Sequence, residues 1–481
     1  MDMLIVGLEK LLDSETKTIL EMLKLLHRSN DQWMHQEEIQ SRVNISKPTL
    51  LKYIGIIQKN DDKSFSLQYS QSQGIRLEIY DEFLFGVYYR RKIFDMWPTQ
   101  LVFQLLLYGK ISKSDFCREF FLSESTFEKK ISDINILANH FGIIIKSRQG
   151  TYELVGPEPL IRRILEEIVW EIFKGYEWPF DLIDENKVKR VLSNLFKNEK
   201  IKLSSKRVLE YRLAILLIRF NKSYYYKNTQ PLFNELFKGN VFFNFMNQLF
   251  QKEYLLSVDE VAYFSLSIIA NRNYKATKNF NKTDMFKINN LFKNYFSEYV
   301  TNFSDTEIEE LNYFLLSSHV YCLLYINTNH IYQRKESKFA SNPKVESLLE
   351  NYLNYFHKNS NGIFKENAQF LFYKYQQIIM NMFPPEAIYP LKVIAVNTDM
   401  NMLEEKKFIH FLTKTLNVYS NVFVDSIQNM EVKDIDLLIY TNKDTFYTDI
   451  PNSIYIDRYS YLDTLPSWLT SVFEVIFRQT D

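Results

Sequence analysis

Two stretches of this chain repeat one plan, and the repetition limits the fold more than any other feature. Ser46-Lys47-Pro48-Thr49-Leu50-Leu51-Lys52-Tyr53-Ile54 aligns at a constant offset with Ser123-Glu124-Ser125-Thr126-Phe127-Glu128-Lys129-Lys130-Ile131, so Ser, Thr, an apolar residue, Lys and Ile recur in place. In the second copy, Ser112 to Gly156 reads as a short helix, a tight connection, a longer helix and a two-stranded turn. Ser123 stands at an N-cap position, and Phe127, Ile131, Ile134 and Leu137 follow at helical spacing, which commits one face to a core. Ile143–Lys146 and Thr151–Val155 flank Ser147-Arg148-Gln149-Gly150, a hairpin whose glycine accepts a positive φ. The first copy has helices at Ser14–Leu26, His35–Val43 and Ser46–Gln58, the last with Leu50, Tyr53, Ile54 and Ile57 inward. Extended segments Phe65–Tyr69 and Ile75–Tyr80 then surround Gln71-Ser72-Gln73-Gly74. Two tandem winged helix-turn-helix units follow from this pattern. Asp81–Trp97 reads as a connecting helix with a basic run, Arg90-Arg91-Lys92.

A helix-turn-helix presents the solvent side of its second helix to the major groove and its wing to phosphate. That geometry selects Lys47, Thr49 and Lys52 in the first unit and Ser125, Thr126, Lys129 and Lys130 in the second. Arg76, Lys146 and Arg148 stand near the wings. The charge balance is unusual for such a protein. Net charge is +0, and basic and acidic side chains are equal in number over residues 1–156, so any affinity for DNA must come from local placement rather than a bulk field.

With only 11 glycines and 12 prolines, long linkers, glycine-rich phosphate loops and turn-rich β architectures are disfavoured, and a mainly helical multidomain chain is expected. From Leu160 to Pro384 amphipathic helices are expected at Pro159–Phe173, Glu185–Phe196, Lys206–Phe220, Leu232–Glu253, Val258–Ala270, Lys282–Val300, Asp305–Ile326, Pro343–His357 and Gly362–Met382. Ser204-Ser205-Lys206-Arg207 and Ser304-Asp305-Thr306-Glu307 open comparable helices, a second and weaker duplication that puts Arg212 and His319 in corresponding positions. After Pro384-Pro385, strands at Leu391–Asn397, Ser420–Val424, Asp436–Thr441 and Ser453–Ile456 alternate with helices at Leu403–Leu416 and Leu462–Arg478, which predicts a small α/β module on a parallel sheet. Its first strand-to-helix loop, Asn397 to Asn401, has neither glycine nor cysteine, so a nucleotide fingerprint and a thiol nucleophile are both excluded there.

Cys117 and Cys322 form no C-x-x-C pair, which fits a reducing compartment. The N-terminus lacks a basic region ahead of its apolar run, and Tyr313 to Ile326 is too short and too interrupted to span a bilayer, so a cytoplasmic protein with no membrane partner is expected. His319 and Cys322 lie three apart, but two ligands without a carboxylate do not make a metal site. No cofactor, metal or catalytic residue is expected, and the chain does not read as an enzyme.

The order of modules resembles the Mga/AtxA family of global virulence regulators of low-GC Gram-positive bacteria, on the paired Ser-x-x-Thr helices, the duplicated helical block and the last α/β module. The resemblance implies a winged helix-turn-helix at 1–80 and a connecting helix with a second winged unit at 81–158. It implies helical phosphotransferase-system regulation domains (PRD) at 159–283 and 284–386, and an EIIB-like module at 387–481. It further implies a transcriptional regulator, often an activator, that binds promoter DNA with loose sequence preference and forms dimers or higher oligomers, partly through the EIIB-like end. In such domains histidine is phosphorylated by the phosphotransferase system's phosphocarrier protein. The first domain has Arg212 at the matching position and no histidine, and the second keeps His319, with His330 and His357 as further candidates. The competing expectations are an RNA-binding antiterminator, which shares the helical domains but begins with a small β-rich module, and a phosphocarrier component, which the missing loop cysteine disfavours.

Overall fold

The computed structural model describes residues 3–59, 63–197, 202–271, 284–325, 343–418, 420–441, 450–456 and 467–477. His330, the start of the helix expected at Lys282 and the first residues of that expected at Leu462 lie outside them. The chain divides into two compact units, Met1–Asn279 with Leu323–Tyr332, and Phe280–Cys322 with Gln333–Asp481. The expected fold class holds: the chain is mainly helical and multidomain, with a parallel sheet near its C-terminal end.

The first unit opens with α1 (Met3–Leu11), α2 (Ser14–His27), α3 (Gln36–Val43), α4 (Lys47–Gln58), β1 (Phe65–Ser70) and β2 (Gly74–Ile79). Asp13 caps α2 by accepting from Thr16 N–H at 2.9 Å. Asn44 ends α3 in the left-handed region at φ 55°, a conformation its short polar side chain tolerates. Met22, Leu23, Leu26, Ile39, Leu50, Ile54, Ile57, Ile75 and Leu77 are buried together behind the β1–β2 hairpin, and each such side chain contributes about 1.5–3 kcal/mol through its removal from water.

The second copy comprises α5 (Glu82–Phe94), α6 (Trp97–Tyr108), β3 (Lys110–Ser112), α7 (Lys113–Glu119), α8 (Glu124–Asn139), β4 (Ile144–Arg148) and β5 (Thr151–Val155). The connecting helix expected at Asp81–Trp97 is α5, and a further helix that was not expected, α6, follows it. The chain breaks between Phe94 and Trp97, with Pro98 in the first turn of α6, where a missing N–H does no harm. Strand β3, also unexpected, pairs with β5 in a three-stranded antiparallel sheet ordered β3-β5-β4.

A helical block completes the unit with α9 (Glu158–Phe173), α10 (Glu185–Leu195), α11 (Leu203–Asn221), α12 (Pro231–Phe237), α13 (Val241–Tyr254) and α14 (Val258–Ala270). The one helix expected at Leu232–Glu253 is interrupted, because Gly239 takes φ 72° and Asn240 starts a new helix by accepting from Phe243 N–H at 3.0 Å. Residues of α6, α8, β4, β5, α9 and α11 share one continuous core, with Phe94 edge-on to Phe173 at 4.9 Å. Buried ion pairs lie within it. Arg162 bridges Glu158 and Glu260, Arg219 pairs with Glu158, and Arg212 with Glu166.

The second unit holds α15 (Asp284–Tyr295), α16 (Ser297–Val300), α17 (Asp305–Leu324), α18 (Pro343–Asn359), α19 (Ala368–Met382) and α20 (Pro385–Ile388). A reciprocal capping box starts α17: Ser304 N–H donates to the Glu307 carboxylate at 2.8 Å, and Glu307 N–H donates to Ser304 Oγ at 3.4 Å. Then follow β6 (Lys392–Asn397), α21 (Met402–Leu416), β7 (Val422–Ser426), β8 (Leu437–Tyr440), β9 (Ser453–Tyr455) and α22 (Ser467–Phe477). The four strands are all parallel in the order β7-β6-β8-β9. Ile394, Val396, Val424 and Ile439 face Phe408, Leu412 and Val472 in one core, so the expected α/β module is present, its strands displaced by one or two residues from their expected ends.

Candidate nucleic-acid interface

The two copies match residue for residue over their working parts. Leu50, Ile54 and Ile57 of α4 are buried, as are Phe127, Ile131 and Ile134 at the same register of α8. Ser46 Oγ accepts from Thr49 N–H at 3.4 Å and lies 2.8 Å from the Thr49 hydroxyl. Ser123 Oγ accepts from Thr126 N–H at 3.1 Å and lies 2.7 Å from the Thr126 hydroxyl. The shared Ser-x-x-Thr is thus first an N-cap. The C-terminal half of each helix holds its wing: Gln58 Nε2 donates to the Leu67 carbonyl at 3.0 Å, and Asn135 clamps Ile145 by accepting from its N–H at 2.7 Å and donating to its carbonyl. The Met34–Ile75 bridge in the first copy has its equivalent in the Ile111–Tyr152 pair of the second. Sequence comparison alone did not reveal these wing clamps, because they lie beyond the literal match.

The wings differ in how they turn. Gln149 and Gly150 both take positive φ, 50° and 78°, which is the two-residue turn whose twist suits a hairpin. The first wing closes over three residues before Gly74 at φ 103°, and a Cβ there would sit 2.1 Å from the Met34 carbonyl oxygen. Only glycine fits that approach.

The charged candidates separate into free and engaged groups. Lys47 in the first turn of α4, Lys129 on α8, and Lys146 and Arg148 on β4 are exposed and make no side-chain hydrogen bond or ion pair among the described residues. Lys52 is exposed but paired with Glu15, which raises its pKa. Lys130 turns inward: its side chain is 19% exposed, it donates to the Leu11 carbonyl at 2.9 Å, and it lies 3.3 Å from Asp133. It ties α8 to α1 rather than facing solvent. Arg76 is half-buried on β2, with Nε lacking a partner. Ser125 and Thr126 are exposed, their hydroxyls gathered at Ser123. One residue that sequence reasoning passed over is Lys113. Its amine holds Glu124 at 2.7 Å and Glu128 at 3.0 Å, so it offsets one of the two negative charges on the outer face of α8. The hydrogen bonds it donates to those carboxylates push its pKa up.

Among the regulatory candidates, His319 is wholly enclosed. Asn289 Nδ2 donates to the Asn312 carbonyl, so its Oδ1 faces His319 Nδ1 at 2.8 Å and must accept from it. His319 Nε2 then accepts from the Tyr375 hydroxyl at 2.7 Å, and Phe356 stacks on the ring at 5.5 Å. Burial pushes its pKa down to about 3. His357 is half-buried, its pKa lowered first by burial and then by Lys365. Arg212, at the corresponding place in the first block, donates to both oxygens of Glu166, from Nε at 2.7 Å and Nη2 at 2.6 Å. Cys322 is buried and its thiol pKa is raised by that burial. Among the described residues, no cluster of three or more His, Cys, Asp or Glu could hold a metal ion, and no helix is long and apolar enough to cross a membrane.

A family model for the Mga helix-turn-helix domain matches residues 90–167. The match runs from the end of α5 into α9 and so encloses α6 to β5. No curated protein matches the chain.

Proposed function

We propose that this chain is a DNA-binding transcriptional regulator that reads duplex promoter DNA through both winged copies. The observation that carries the reading is the duplication itself. Two helix-turn-helix units share cap, burial pattern and wing clamp, and each presents an unpaired lysine on its second helix, Lys47 in one and Lys129 in the other. The similarity of residues 90–167 to the Mga helix-turn-helix domain supports it. In this reading Lys47 and Lys129 approach the major groove, and Lys146 and Arg148 contact phosphate from the second wing. Lys130 serves the fold. Because acids balance bases, the sequence-independent part of the affinity is small, and binding is weak at physiological salt unless two chains act together.

The helical blocks resemble PRD modules and the parallel-sheet module resembles EIIB; we assign them to setting the oligomeric state, with a homodimer as the working form and the cytoplasm as the place of action. Activation of transcription is the expected direction. The Arg212–Glu166 pair supplies the first block with a permanent salt link at the place where a phosphorylatable histidine would stand. Enclosure of both His319 nitrogens means that a phosphocarrier protein reaches that ring only after α17 opens.

The test is to present the intact chain with a promoter-length duplex and with hairpin RNA of matched length. Tighter binding to the duplex is expected. Preference for the hairpin supports the antiterminator reading instead, and binding to neither removes the nucleic-acid reading.

A further inference from the structure

The turn before α8 contains a residue that the fold does not explain. Phe121 has φ +54° and is 96% exposed. For a bulky residue, the left-handed conformation is an outlier that costs about 1–2 kcal/mol. An exposed ring returns nothing through burial. The backbone itself is required. In the first copy Asn44 occupies the same position at φ 55°, and both turns close with matching bonds, Ile45 N–H to the Gln40 carbonyl at 3.1 Å and Leu122 N–H to the Cys117 carbonyl at 2.9 Å. Asparagine is the natural choice for such a turn, and phenylalanine is not. Nor does the ring serve the local core, being 96% exposed. Its neighbour Phe120 already stacks on Phe116 at 4.5 Å.

Strain held at a surface position points to a contact made outside the chain. Phe121 lies two residues before the N-cap Ser123, beside the N-terminal end of α8 with its exposed Ser125 and Thr126. That is the end of a recognition helix that meets base edges. The apolar group in the major groove is the 5-methyl of thymine. We propose that Phe121 is a base-reading residue that packs on a thymine 5-methyl group and gives the second winged unit a preference for A·T pairs at the edge of its site. The inference rests on the DNA-binding reading above.

The experiment uses the intact chain, wild type and Phe121→Asn, with a promoter-length duplex and the same duplex made with deoxyuridine in place of every thymidine. Wild type is expected to lose roughly four-fold in affinity on the uridine duplex, the worth of one buried methyl group. Phe121→Asn is expected to bind the thymidine duplex more weakly and to lose the discrimination. Its thermal midpoint should rise by roughly 2 °C as the backbone strain is relieved. Equal discrimination by the two proteins, none by wild type, or a lowered midpoint in Phe121→Asn would overturn the inference while leaving DNA binding intact. If wild type binds neither duplex, the DNA-binding reading fails and this inference falls with it.

Discussion

Lowering the pH from 7.5 to 5.0 should make α17 easier to open through a single histidine. His319 is 0% exposed, hydrogen-bonded at both nitrogens, and has its pKa pushed by burial down to about 3 from an ordinary 6.5. Its folded pKa is depressed, so between those values the open chain binds a proton that the closed chain refuses. The stability it contributes is full above about pH 6.5 and is lost as the pH falls toward 3. At about 1.4 kcal/mol per pH unit, roughly 2 kcal/mol is gone by pH 5 and about 5 kcal/mol at the acid limit. Cys322, one turn along the same helix and 1% exposed, supplies the probe. Its reaction with a pyridyl disulfide, resolved by peptide mass spectrometry and normalised to a short peptide of the same sequence, measures the free energy of opening. We expect that free energy to fall between pH 7.5 and 5.0 by about 2 kcal/mol more in wild type than in His319→Gln, whose amide can donate and accept without titrating. Identical pH dependence in the two proteins would refute the enclosure of His319, as would phosphorylation of His319 at a rate independent of opening.

The caps should matter equally in the two copies: Ser46→Ala and Ser123→Ala are each expected to lower stability by about 1 kcal/mol in thermal melts. The wing glycines should not. Gly150→Ala has open space and costs about 1 kcal/mol through its positive φ alone, whereas Gly74→Ala must displace the Met34 carbonyl and should unfold the first wing, visible as lost amide protection at Ile75. Arg219→Met should cost roughly 3–5 kcal/mol, since it breaks a buried pair and removes a donor to the Leu106 carbonyl at 2.9 Å, with faster exchange expected along α6. Burial alone would raise the Glu158 pKa, but Arg219 and Arg162 outweigh it and hold the carboxyl below its ordinary value. Wild type should therefore lose stability as the pH falls through the carboxylate range, and Arg219→Met should lose less.

The winged units were legible because three local signals agreed: a capping serine, a 3.6-residue apolar period and a hairpin punctuated by glycine. Helix α6 was not. Leu101, Phe103, Leu105, Leu106 and Leu107 bury it on nearly every side, so it has no polar face to reveal a period. The break between α12 and α13 was signalled by Gly239-Asn240, a helix stop followed by a cap, but aromatic residues on both sides hid it. The repeat also held the clue to Lys130, which aligns with inward-facing Tyr53. The free lysines, by contrast, could not be told from the engaged ones, because Glu15 reaches Lys52 and Leu11 reaches Lys130 from segments far away in sequence. The same holds for Arg212, whose partner Glu166 lies on another helix.

The claim that two winged copies read DNA is tested most directly by a salt titration of duplex binding with the intact chain, Lys47→Gln, Lys52→Gln, Lys129→Gln and Lys146→Gln/Arg148→Gln. Each phosphate contact removed should make the log–log salt slope shallower by about one. The account predicts a shallower slope for the wing double variant, weaker binding for both helix variants, and no such change for Lys52→Gln, whose charge is already held by Glu15. Absence of duplex binding by wild type, or one common slope and affinity for all the variants, would contradict it.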